Sequence, residues 1–170
     1  MSDKPSRIVN ADEAEEKTHT IGEHWGASYK VLTPSMRPSG GRLGVNQMRV
    51  PPGRVAVPFH THQREDEVFY ILSGRALLRY GDELTELRAG DCVSCPAGTG
   101  VAHQLANPFD TEVVYLAIGA HDPDEVCTYP DTGKVMVRSL ERVGWLEKVE
   151  YMAGEPERPK ILDLHEGSGE

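Results

Sequence analysis

No stretch of this chain concentrates basic residues: Lys and Arg number 18 against 27 Asp and Glu, a formal net charge of -9. A phosphate backbone binds through basic patches, so nucleic acid is excluded as a partner, and an anionic membrane surface is disfavoured on the same ground. The chain also lacks any uninterrupted apolar run near the ~18 residues that a membrane span needs. Its opening, MSDKPSRIVNADEAEEKTHT, is polar and acidic and contains no apolar core of the kind a signal peptide carries. Cysteine is scarce and odd in number, three residues in all, which predicts free thiols in a reducing, cytoplasmic setting. Cys92 and Cys95 form a C-x-x-C spacing, yet three positions apart on a strand they face opposite sides. No second cysteine pair completes a zinc ribbon.

What is present reads as one domain. Hydrophobic residues at 38% and charged residues at 26% of 170 give the balance of an ordinary soluble globular protein. Residues 1–28 form a polar N-terminal arm in which ADEAEEK is the only helix-leaning piece. From Leu43 to about Gly119, short runs rich in Val, Leu, Tyr and Ile alternate with Gly, Pro and Asp at close intervals. That rhythm predicts an all-β sandwich or barrel. Tyr80-Gly81-Asp82-Glu83 carries a turn that pairs its flanks as a hairpin. The segment HDPDEVCTYPDTGKV reads as a loop holding Cys127, KVMVRS as a short strand, and LERVGWLEKVEYM has helical spacing over Leu140, Val143, Leu146 and Val149. The expected division is an arm at 1–28, a barrel over 29–138, and a short helix and tail over 139–170. No internal repeat appears, so one barrel is expected.

Within that strand-rich region, FHTHQREDEVFY (Phe59 to Tyr70) brings two histidines one residue apart and a carboxylate shortly after. Side chains at 60 and 62 of a strand point the same way, so two imidazoles lie side by side. A turn at QRED returns Glu67 to that face on a neighbouring strand, and His103 comes from a distant one. Imidazole with carboxylate suits Fe, Mn, Ni, Cu or Zn rather than a calcium cage. Each element also has a plain structural reading: an H-x-H pair arises by chance, Glu67 fits a solvent-facing strand position, and a single histidine is commonly a hydrogen-bonded structural residue.

The combination resembles the cupin superfamily, and within it the small single-domain bacterial barrels of mostly unassigned role. The first cupin motif is carried by Gly53, His60, His62, Glu67 and Gly74, and the second by Gly90, Pro96, Gly98, His103 and Asn107. The fifteen residues between Gly74 and Gly90 match a short intermotif hairpin. Two spacings depart from the pattern: six residues rather than five precede His60 after Gly53, and four rather than two precede His103 after Gly98. Both insertions fall in turns, where added length is cheap. The resemblance covers roughly residues 43–119.

It implies a double-stranded β-helix, a jelly-roll barrel with N- and C-terminal arms, and one divalent transition metal ion per chain (Fe, Mn, Ni or Zn) held by His60, His62, Glu67 and His103. Period-two counting places Phe69 and Ile71 on the face of Glu67 and Leu105 on that of His103, giving the metal a mainly apolar cavity for a small organic ligand such as a sugar or carboxylate. Alternation puts Met48 and Val50 inward and Gln47 and Arg49 outward; the reverse register would offer Arg49 to a carboxylate or phosphate. Tyr70 and Tyr115 read as packing residues, the three cysteines as structural, and His121 and Glu125 as parts of a solvated loop. His19, His24 and His165 carry no pattern. Three functions follow: a small-molecule metalloenzyme, dioxygenase-like or isomerase-like on a sugar or oxo acid; a non-catalytic metal-dependent binding or sensing module; or a barrel whose metal is structural. Barrels of this kind resemble others that dimerise through edges and arms, so a homodimer is expected, with the arm and the strand near Lys134–Arg138 covering exposed edges.

Overall fold

The computed structural model describes residues 6–167. Its strands, in chain order, are β1 (Glu16–Ile21), β2 (Trp25–Val31), β3 (Leu43–Val50), β4 (Arg54–Val55), β5 (Thr61–His62), β6 (Glu67–Ser73) and β7 (Arg75–Tyr80). They continue with β8 (Glu83–Arg88), β9 (Cys92–Cys95), β10 (His103–Asn107), β11 (Val113–Ala120), β12 (Val126–Tyr129), β13 (Lys134–Val137) and β14 (Arg142–Trp145). One helix, α1 (Lys160–Gly167), ends the described chain. The all-β expectation holds.

A large curled sheet runs β8-β7-β10-β4-β2-β3-β11-β6-β9, with β1 added alongside β2, and a smaller one runs β14-β13-β12-β5. Reciprocal backbone bonds between His60 and His103 link the segment leading into β5 to β10, and so tie the two sheets together. The longest ladder is β3–β11, in register from Val113 opposite Val50 to Ala120 opposite Leu43. Alternation sets its faces. Val50, Val113 and Tyr115 are buried, and Met48 packs against them. Arg49 points outward, paired with Glu112 and Glu16. The inward register of Met48 and Val50 is therefore the one adopted. Ala27, Phe69, Ile71, Leu78 and Leu105 complete the same core, and enclosing a side chain the size of Ile71 contributes about 1.5–3 kcal/mol.

Three expectations are corrected. ADEAEEK forms no helix: Asn10 accepts amides from residues 12 to 14 in a single turn, and Glu16 and Lys17 already belong to β1. The helical spacing over 140–149 is not realised either. Arg142–Trp145 extend as β14 against β13, since Gly144 and β-branched Val143 favour extension once an edge is open to pair with. Finally, the segment read as a loop at 121–135 contains β12, which pairs with β13 on one side and β5 on the other. Cys127 lies on that strand and is buried. Cys92 is exposed and Cys95 buried, on opposite faces of β9 as counted.

Candidate metal centre

The turn at QRED is held at every residue. The amides of Gln63 and Arg64 each donate 2.9 Å bonds to the two carboxylate oxygens of Glu125. Glu65 forms a two-pronged ion pair with Arg138 and accepts the Asp122 amide. Asp66 accepts the Ala97 amide at 2.9 Å through its side chain and the Ala120 amide through its backbone. Fixed in this way, the chain leaves β5 after His62 and enters β6 at Glu67, opposite Gly119 of β11 and Cys95 of β9. His103 opens β10 directly across from His60.

One ligand atom from each of His60, His62, Glu67 and His103 can be chosen so that all lie within 4.8 Å of one another. His103 Nε2 is 2.9 Å from Glu67 Oε2, His62 Nε2 is 3.7 Å from it and His60 Nε2 is 3.9 Å. Donors bound at ~2.0–2.2 Å around a single transition metal stand ~3–4.4 Å apart, so the observed separations fit such an ion with little movement. The imidazole of His60 donates from Nδ1 to the Pro58 carbonyl at 2.8 Å, which leaves the Nε2 lone pair facing the cluster. His62 Nδ1 is buried 3.4 Å from Glu125 Oε1 without a hydrogen bond among the described residues. A proton there faces a carboxylate and again turns Nε2 inward.

Electrostatics fit the same picture. Burial and the neighbouring His103 lower the His60 pKa to about 4. Burial also works to lower His62, but the carboxylates of Glu67, Glu125 and Glu65 outweigh it and raise its pKa. Glu67, which burial alone would raise, is held down to about 2 by His103 and His62. A neutral His60 beside an ionised Glu67 is a donor set ready for a cation.

Around these donors lies a cavity of about 350 Å³. Met48, Phe69, Leu105, Tyr115 and Ala117 make its apolar wall, while His19, Tyr29, Asn46 and Gln104 supply polar groups. Among the described residues, no Lys or Arg lines it. Phe69 and Leu105 take the positions that period-two counting assigns them, whereas Ile71 is wholly enclosed in the core beneath. Tyr115 packs edge-on to Phe69 at 5.8 Å, and burial pushes its hydroxyl pKa above the ordinary tyrosine range. Tyr70 is partly exposed on the outer face.

Two groups escaped the sequence reading. Glu125, expected in a solvated loop, is completely buried and braces both the turn and His62. Nothing in HDPDEV distinguishes it, because the β12–β5 pairing that buries it joins residues some 65 positions apart. His19, which carries no pattern, reaches the cavity because β1 pairs alongside β2. A shift of one residue in that hairpin would have turned it away.

Comparison with known proteins follows the same lines. Residues 46–119 match the family described as Cupin domain (Cupin_2). An oxalate-binding protein of Thermotoga maritima is 32% identical over 72 residues, 42% of this chain; the match spans 57% of that curated relative's length. Among solved structures, a sugar phosphate isomerase from a cupin superfamily of Silicibacter pomeroyi aligns with a TM-score of 0.68 at 24% identity, over 82% of this chain and 92% of that one. A predicted oxalate decarboxylase of Thermotoga maritima aligns with a TM-score of 0.59 at 22% identity, over 68% and 99%. These structural likenesses establish the shared fold.

Proposed function

From a chain whose residues 46–119 form a cupin domain, we propose a metal-dependent protein of small-molecule chemistry, with one divalent transition metal ion on His60, His62, Glu67 and His103. The observation that carries this reading is the convergence of three imidazoles and one carboxylate, from the segment entering β5, from β5 itself, from β6 and from β10, on one cavity. Held by these four residues, such an ion would supply Lewis-acid polarisation to an oxygen of a bound ligand. His60 and His62 aim Nε2 through the partners of their other nitrogens, and the braced turn keeps Glu67 in reach. The cavity lies against the same four side chains, so a ligand entering it would meet a metal held by them.

The wall narrows the ligand class. An anion entering a cavity without Lys or Arg, in a chain of net charge -9, finds its countercharge on the metal. A carboxylate or a sugar hydroxyl pair that coordinates directly suits this wall better than a phosphate does. The oxalate-binding relative supports a carboxylate. We take the activity to be that of a metalloenzyme, oxygenase-like or isomerase-like, acting on such a ligand. Proton transfer would fall to His19, the one imidazole of the wall outside the four, because Tyr115 is pushed too high to act as a base.

A second reading, metal-dependent binding or sensing without turnover, is favoured by the same scarcity of acid–base groups. Oxygen uptake by the Fe(II)-loaded protein with small oxo acids, and isomer analysis with sugars, separates the two. Turnover supports the enzyme; tight binding with no conversion across both panels overturns it in favour of the binding module.

A further inference from the structure

A second cavity, of about 530 Å³, adjoins the first, and His19 and Gln104 line both. The segment Ala56-Val57-Pro58 contributes to both linings, Ala56 and Pro58 to the outer cavity and Val57 to the inner, and its three carbonyls each accept from a different side chain. His19 Nε2 donates to Ala56 at 3.2 Å, Gln104 Nε2 to Val57 at 2.9 Å and His60 Nδ1 to Pro58 at 2.8 Å. The metal-facing His60 is thus tethered to the wall of the outer cavity.

That outer cavity is apolar in character. Ile21, Trp25, Pro58, Phe59 and Tyr129 line it, together with Asp131 and Lys134. Ile21 and Trp25 remain 72% and 40% exposed, so uncovered hydrocarbon and indole surface faces water beside the centre. A two-carbon diacid would occupy only a fraction of the inner cavity and reach none of this surface. Ligand cavities of ~300–1,000 Å³ are ordinary for organic molecules, and the two together accommodate a bipartite one.

Resting on the metal-centre reading above, we infer that the ligand is an oxygen-chelating acid carrying an apolar or aromatic tail, its head at the His/Glu cluster and its tail in the groove of Ile21, Trp25 and Phe59. The chelating head meets the cation, and the tail displaces water from the groove. His19 and Gln104 stand where head and tail join, so they discriminate by the width of the molecule at that point.

Two hydroxamates with the same chelating head test this on the Co(II)-loaded protein: acetohydroxamate and octanohydroxamate. Cobalt visible absorption reports the head, and tryptophan fluorescence reports the groove. The expected result is that both perturb the cobalt spectrum, that octanohydroxamate binds at least about tenfold more tightly, and that only it changes the fluorescence. That fluorescence change is lost in Trp25→Phe, and Ile21→Glu, at an exposed position, reduces the tail advantage below about threefold. Equal affinities, or an advantage that survives Ile21→Glu, overturn the tail groove while leaving the metal centre standing. A second copy of the chain covering this face has the same overturning force, and shows as Ile21→Glu dissociating a dimer with no tail advantage in the wild type. If cobalt binds but neither probe alters its spectrum, or cobalt does not bind, the metal-centre reading fails and the inference falls with it.

Discussion

His60 divides its two nitrogens between a backbone carbonyl and the cluster, and that division has a measurable pH signature. Its folded pKa of about 4 lies below the ordinary value of 6.5. Between those values the unfolded chain takes up a proton that the folded one refuses, so the metal-free protein loses stability as pH falls from 6.5 towards 4. The linkage is on the order of 3 kcal/mol at most for His60. Glu67, held at about 2, adds stability that is present above pH 4.5 and lost as pH falls towards 2. His62, raised, works the other way: its contribution is full below 6.5 and is lost as pH rises through its folded value. Urea unfolding of metal-free wild type and His60→Gln between pH 4 and 7 is expected to show a steeper slope in the wild type; parallel curves would refute the assignment. At Glu125 the expected effect is on metal affinity. Glu125→Ala releases the amides of Gln63 and Arg64 and the brace behind His62, weakening Co(II) binding by about 10–100-fold in a calorimetric titration. The clustering of His60, His62, Glu67 and His103 was legible because motif spacing singles out residue types that few other purposes need together. Glu125 was not, since its role comes from a strand pairing that no local pattern encodes.

Among the elements, the β6–β7 turn is the least tolerant of change. Gly74 adopts φ +76°, and a Cβ there would collide with the Glu112 carbonyl oxygen. Both the left-handed backbone and the close approach require glycine, so Gly74→Ala is expected to lower stability by at least about 2 kcal/mol in urea unfolding. The β10–β11 connection depends on buried Asn107, whose amide donates to the Val50 and Thr111 carbonyls while its oxygen accepts the Phe109 amide. Asn107→Ala leaves those groups unpaired, at a cost of about 2 kcal/mol by the same measurement. Both residues belong to the motif spacings, and the structure gives them turn-fixing roles rather than chemical ones. Strands β3, β6, β10 and β11 were readable because each has a buried face that writes alternation into the sequence. The exposed β14 has no such face, so its apolar spacing matched a helix by coincidence, and β12 was hidden by surrounding Pro and Asp.

For the molecule as a whole, a metal bound only by the folded chain must stabilise it by mass action. Saturating the site at about 1,000 times the dissociation constant adds about 4 kcal/mol. The melting temperature is therefore expected to rise with added Co(II) or Ni(II) and to fall back with a chelator, and His62→Ala is expected to show neither change. Barrel architecture and the His/Glu cluster were open to sequence reading over the central region. The arm's place beside β2, which brings His19 to the cavity, was not, because polar edge strands leave no periodic trace. The central claim meets its most direct test in elemental analysis of anaerobically purified protein, wild type beside the His60→Ala, His62→Ala double variant. Close to one transition metal ion per wild-type chain is expected, and almost none in the folded double variant. Wild-type protein that carries no metal and takes up none on titration, or a double variant that retains it in equal amount, would contradict it.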